Sequence, residues 1–133
     1  MKNAGRIVID AAGTILEADD AFSATMRETK SLVGANAIAI TALGDRDRCT
    51  RLVEQIVEDG QPIATFKRLI RADGSNIWVR NRLRAIGTTD APRIEIHLEA
   101  SLPPKGWVAP DRLLLVARLM WSRCLAGYTS ASS

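Results

Sequence analysis

The chain has few of the residues that carry metal and redox chemistry. Its 133 residues include two cysteines, Cys49 and Cys124, and one histidine, His97. Two distant cysteines give no disulfide framework, and reduced thiols in the cytosol are the expectation. One imidazole and two separated thiols provide no zinc spacing, so no metal is expected. Aromatic residues make up 5% and do not alternate with basic ones as in RNA-binding modules. The basic excess is also small: 18 Lys and Arg against 15 Asp and Glu, a net +3 spread along the chain. That is no concentrated basic stripe, and no nucleic-acid partner is expected. Long apolar runs are missing. The run Leu113 to Ala117 is ended by Arg118, far short of the roughly 20 residues that a membrane helix needs. The N-terminus has only Ile7, Val8 and Ile9 between Arg6 and Asp10, without the apolar core of a signal peptide. A cytoplasmic protein that does not enter the membrane is the expectation. Catalytic constellations are absent too. No histidine stands near a serine or cysteine in a motif, no glycine loop suits a phosphate, and no acidic cluster has metal spacing. The chain is read as not an enzyme.

What is present is the pattern of one small α+β domain. Hydrophobic residues at 47% and charged residues at 25% are ordinary for a globular chain of this length. Arg6 to Ile9 and Thr14 to Glu17 read as short strands joined through Asp10-Ala11-Ala12-Gly13, a turn by its Asp and Gly. Asp19 or Asp20 is suited to cap a helix on which Phe22 and Met26 share a face. Residues 29–44 have no clean period and are read as short helical turns. Asp45 to Glu58 puts Cys49, Leu52, Val53, Ile56 and Val57 on one helical stripe, with Asp45 and Asp47 placed to suit the helix dipole. Asp59-Gly60 and Pro62 stop that helix.

Three longer strands follow: Ile63 to Ala72, Asn76 to Ile86 and Arg93 to Ala100, the first two joined through Asp73-Gly74. Ile77, Val79, Leu83 and Ala85 share one face, against Trp78, Arg80, Arg82 and Arg84 on the other. Ile94, Ile96, Leu98 and Ala100 alternate with Arg93, Glu95, His97 and Glu99. Such alternation means an antiparallel sheet with one face buried, and it lets the arginines meet Glu95 and Glu99 across strands. Asn81 interrupts the apolar face, and a buried amide needs a partner.

Residues 1–101 are thus read as the domain, 102–109 as a stiff linker, 110–126 as an amphipathic C-terminal helix and 127–133 as a disordered tail. Leu113, Leu114, Val116, Ala117, Met120, Trp121 and Leu125 give that helix more apolar surface than water tolerates, which points to a homodimer or another protein partner.

Three pieces together resemble a PAS domain. The first is Asp10-Ala11-Ala12-Gly13-Thr14-Ile15 with Asp20-Ala21-Phe22, similar to the opening hairpin and first helix of that family. The second is Arg48 to Gly60, similar to its long helix and closing acidic-Gly turn. The most specific is Arg71-Ala72-Asp73-Gly74-Ser75 with Trp78-Val79, which resembles the family's Arg-x-Asp-Gly-Ser-x-x-Trp-Val hairpin. The family's His-Pro-Asp-Asp segment before the long helix is here Leu43-Gly44-Asp45-Arg46. The resemblance implies a five-stranded antiparallel sheet with helices on one face and a role as a sensory or regulatory domain. In that reading a small ligand sits under the helices, lined by Phe22, Met26, Leu52, Ile56, Leu69, Asn81 and Leu83, and the C-terminal helix relays the change. Haem-binding members commonly use a histidine of the long helix, whereas His97 falls on the last strand, so haem is not expected. Flavin photochemistry uses a cysteine in an Asn-Cys-Arg-Phe setting; Asp47-Arg48-Cys49-Thr50 does not match it. The rival readings are a ligand-free interaction or dimerisation module with a filled core and, with least support, a small α+β enzyme.

Overall fold

In the computed structural model the described residues are 2–106, and the compact unit they build ends at Pro103. The helix expected over 110–126, with its proposed interface residues, and the tail 127–133 lie outside the described residues. The elements are β1 (Lys2–Asp10), β2 (Ile15–Ala18), α1 (Asp20–Met26), a 3₁₀ turn (Leu43–Asp45), α2 (Arg46–Asp59), β3 (Ile63–Ile70), β4 (Asn76–Gly87) and β5 (Pro92–Ala100). The strands form one antiparallel sheet in the order β2-β1-β5-β4-β3. This is the expected α+β architecture.

Local chemistry explains most boundaries. The Asp10 carboxylate accepts from the backbone N–H groups of Ala12 and Thr14, both at 2.9 Å, and so turns the chain from β1 into β2. Asp19 caps α1 by accepting from the Phe22 N–H at 2.9 Å. Phe22 and Met26 then point into the core, which Ile7, Ile9, Ile56, Leu69, Val79, Ile94, Ile96 and Leu98 complete. Gly5 is required where α1 crosses β1. A Cβ there would lie 2.5 Å from the Phe22 nitrogen, and its φ is +124°. Gly60, at φ +70°, closes α2 through an N–H to the Ile56 carbonyl.

Several expectations are corrected. Residues 29–44 do hold short helical turns, one closed by the Ile40 N–H on the Asn36 carbonyl and the 3₁₀ turn after it, but Ile40 to Ala42 also hydrogen-bonds along the β3 edge. This backbone satisfies the free edge of the sheet, a non-local role that a local period does not reveal. Asp45 precedes α2, and its carboxylate bonds β3 rather than the helix end. Val57, two residues before the end of α2, is 40% exposed, and Leu52 is only half-buried. Ala85 is exposed where β4 runs on toward its turn with β5. β3 stops at Ile70, since Arg71 to Ser75 forms the hairpin turn.

Candidate ligand site between the long helix and the sheet

The site grows from the alternation of β3 and β4. Thr65 stands opposite Asn81, and Lys67 opposite Val79. Val79, Asn81 and Leu69 are buried on the face that α2 covers, and the period of two sends Thr65 and Lys67 to the same side. Beneath α2 these side chains border a cavity of about 20 Å³. Its lining includes Cys49, Leu52 and Val53 from α2, Thr65 and Lys67 from β3, and Asn81 and Leu83 from β4. One water needs about 10–15 Å³ of such space, so the cavity takes a molecule of very few atoms. Ile38, Leu52 and Thr65 are partly exposed at its rim.

Two polar groups in this cavity are under-satisfied. Lys67 is 6% exposed, and its ammonium donates to the Thr41 hydroxyl at 3.2 Å. Thr41, itself wholly buried, passes its own hydroxyl proton to the Ala37 carbonyl at 2.9 Å. No ion pair joins Lys67 to a carboxylate among the described residues. Burial pushes the Lys67 amine below the ordinary lysine range; Cys49 and Asp45 pull it back and Arg48 adds to the depression. Asn81 is 1% exposed, and its Oδ1 has no hydrogen-bond partner among the described residues. An orphaned buried acceptor costs about 1–3 kcal/mol. A bound molecule that donates to Asn81 and accepts from Lys67 would relieve both.

The same region is fastened to the start of α2. Asp45, 4% exposed, accepts from the Arg68 backbone N–H at 2.9 Å and from its guanidinium at 3.2 Å. The Arg68 guanidinium also lies 5.6 Å from the centre of the Trp78 ring. Residues 67 and 68 thus look to opposite sides of one strand, the first to the cavity and the second to the helix anchor.

No family model and no curated protein matches the chain. Solved structures do. The chain is similar to the PAS domain of an HTR-like protein from Haloarcula marismortui, at 19% identity and TM-score 0.64, over 73% of this chain and 80% of that one. It is similar to the PAS-B domain of Drosophila melanogaster Cycle with bound ethylene glycol, at 13% identity and TM-score 0.68, over 73% and 99%. A PAS domain from a two-component sensor histidine kinase aligns at 13% identity and TM-score 0.62, over 73% and 84%. The domain has the PAS fold.

Within this PAS-fold domain the residues expected around a ligand separate into two groups. Leu52, Asn81 and Leu83 border the cavity. Phe22, Met26, Ile56 and Leu69 lie in the packed core and do not line it. Sequence reasoning missed Lys67, Thr41 and the cavity position of Cys49. The signal for Lys67 was available: it lies two residues before Leu69 on a strand of period two, and so shares its face. On the outer face Glu95 receives Arg84 at 2.7 Å and Glu99 receives Arg82 at 3.1 Å, as the alternation predicted, and Arg6 of β1 joins Glu95 at 2.7 Å. The Arg6 hydrogen bond, aided by Arg84, holds the Glu95 carboxyl below its ordinary range. His97 is half-exposed there, 3.3 Å from Glu95.

Proposed function

We propose that this PAS domain is a sensory or regulatory module of a signalling system, with a small ligand held between α2 and the sheet. The observation that carries the reading is the orphaned Asn81 Oδ1 beside the buried Lys67 amine in one cavity. Buried polar groups left short of partners are costly, and a site that must accept a polar ligand is a physical reason to keep them. Occupancy bears on two packed elements at once, because Lys67 belongs to β3 and Cys49 and Leu52 to α2. A ligand shifts such packing only by binding the two arrangements unequally. The Asp45–Arg68 link offers a route from the cavity to the start of α2. In this reading the change is relayed through the 110–126 helix and a homodimer to a protein partner, in the cytoplasm, without catalysis. No helix among the described residues is long and apolar enough to cross a membrane.

A ligand-free interaction or dimerisation module is the second reading, and the small size of the cavity favours it. Native mass spectrometry of the chain purified from its own host, with a denatured sample beside it, separates the two. A dimer that loses a small molecule on denaturation supports the sensor. A dimer without added mass, unchanged by Asn81→Leu, supports the interaction module. A bare monomer removes the dimer from both.

A further inference from the structure

We propose that the Lys67 amine is a nucleophile that captures a short-chain aldehyde as an imine in the cavity under α2. The inference rests on the reading of that cavity as a ligand site and names its chemistry. Lysine acts as a nucleophile when it is desolvated and neutral, and Lys67 has the setting for it. Its amine is enclosed, its one hydrogen-bond partner is the neutral Thr41 hydroxyl at 3.2 Å, and no carboxylate pairs with it among the described residues. Asp45, the nearest buried carboxylate of the α2 start, is committed to Arg68. Burial lowers the amine's basicity against the smaller opposing pulls of Cys49 and Asp45, with Arg48 adding to it. An uncharged ligand also enters such a cavity without the large cost of burying an ion. The volume of about 20 Å³ and the apolar walls formed by Leu52, Val53 and Leu83 restrict it to a few heavy atoms.

The step balances without a co-reactant. The Lys67 nitrogen lone pair attacks the carbonyl carbon, the C=O π pair moves to oxygen, and a proton passes from nitrogen to that oxygen to give a carbinolamine. The Thr41 hydroxyl, within reach of Nζ, can relay it. The C–O bond then breaks, the oxygen takes the remaining nitrogen proton and leaves as water, and the nitrogen pair closes the C=N bond. Asn81 Oδ1, which lacks a donor, is placed to accept from the carbinolamine hydroxyl.

The four lysines make the test internal: Lys2, Lys30 and Lys105 are exposed, and Lys67 is buried. The full chain is incubated at neutral pH with acetaldehyde and cyanoborohydride, and alkylation of each lysine is followed in time by peptide mapping. Lowering an amine's pKa raises its neutral, reactive fraction. Lys67 is expected to be alkylated faster than each of the other three lysines, an advantage that disappears in denaturant. Labelling of Lys67 at the same rate as the others, or more slowly, overturns the proposal, since burial alone protects. Thermal melts with acetamide, which is one heavy atom larger than acetaldehyde and is not electrophilic, keep the two readings apart. Stabilisation of the wild type but not of Lys67→Met, together with slow Lys67 labelling, leaves the ligand cavity standing and removes the imine. No response to either compound removes both.

Discussion

The two faces of the sheet treat charge in opposite ways. On the outer face, water and partners are plentiful: Glu95 is shared by Arg6, Arg84 and His97, and Glu99 pairs with Arg82. On the inner face, under α2, a lysine has one neutral partner and an amide oxygen has none. In the outer cluster Arg6, Arg82, Arg84 and His97 stay within reach of solvent, and Glu95, though buried, is paired with three of them, so the cluster costs the fold little. The inner pair has lost solvent and gained little in return, which lowers stability unless something else binds. Polar residues kept where they cost most mark the place where a folding requirement and another requirement have diverged.

Between these extremes lies Asp45, a buried carboxylate that is fully bonded, and its loss gives the largest effect expected. Asp45→Ala would remove the carboxylate that the Arg68 N–H and guanidinium share and loosen the start of α2 from β3. Removing one partner of a buried pair costs about 3–5 kcal/mol, so urea melts should show a loss of about 3 kcal/mol. A loss within the range of a surface substitution would mean that the anchor carries no load and the proposed route to α2 fails.

The next effect has the opposite sign. Lys67→Met keeps the length and volume of the side chain and removes a buried amine, and is expected to stabilise the domain by about 1–3 kcal/mol. The pH dependence identifies the cause. Burial lowers the folded-state pKa of Lys67, so the unfolded chain binds more protons between that pKa and the ordinary value of about 10.4. Stability therefore rises with pH through this window, and the penalty is full only below it. Wild type should gain stability on the alkaline side of neutrality, and Lys67→Met should not. A destabilised variant would make Lys67 an ordinary packing residue and erase the contrast between the faces.

The sequence made much of this fold legible, wherever the signal was local. The Asp10-to-Gly13 turn, the Asp19 cap with Phe22 and Met26, the Asp73-Gly74 hairpin and the Arg–Glu alternation of β4 and β5 each follow from residues that lie close together along the chain or from a period of two. The site was less legible. Asn81 stood out because it broke an apolar face, but Lys67 looked like a solvated strand residue, the normal state of a lysine. Its burial depends on Thr41 and α2, which are distant in sequence. Residues 29–42 resisted for the same reason: Gly34, Ala35 and Ala37 bond the backbone of Gly13 and Ile15, and Ile40 and Ala42 bond that of β3, nearly thirty residues on. Asp45 was read by its place at a helix start, when its partner is 23 residues away.

The smallest effects test the outer face from within. Glu95 keeps 9% of its side chain exposed and holds two arginines, whereas Arg82 and Glu99 are 58% and 24% exposed. Desolvation sharpens a charge pair and solvent screens it, so the two clusters should not weigh the same. Glu95→Gln is expected to cost about 1 kcal/mol, and Arg82→Ala less than about 0.5 kcal/mol. The acid limb separates them further. The Glu95 pKa is lowered in the folded state, chiefly by Arg6, so its contribution is complete above the unfolded value of about 4.3 and disappears as the pH falls through the folded one. Melts from neutrality into acid should therefore be flatter for Glu95→Gln than for wild type and unchanged in slope for Arg82→Ala. Equal costs for the two variants would mean that Glu95 is screened as well as its neighbours. The outer face would then contribute charge without stability, and the Asp45–Arg68 anchor and the inner face would be where polar residues decide how firmly this domain holds together.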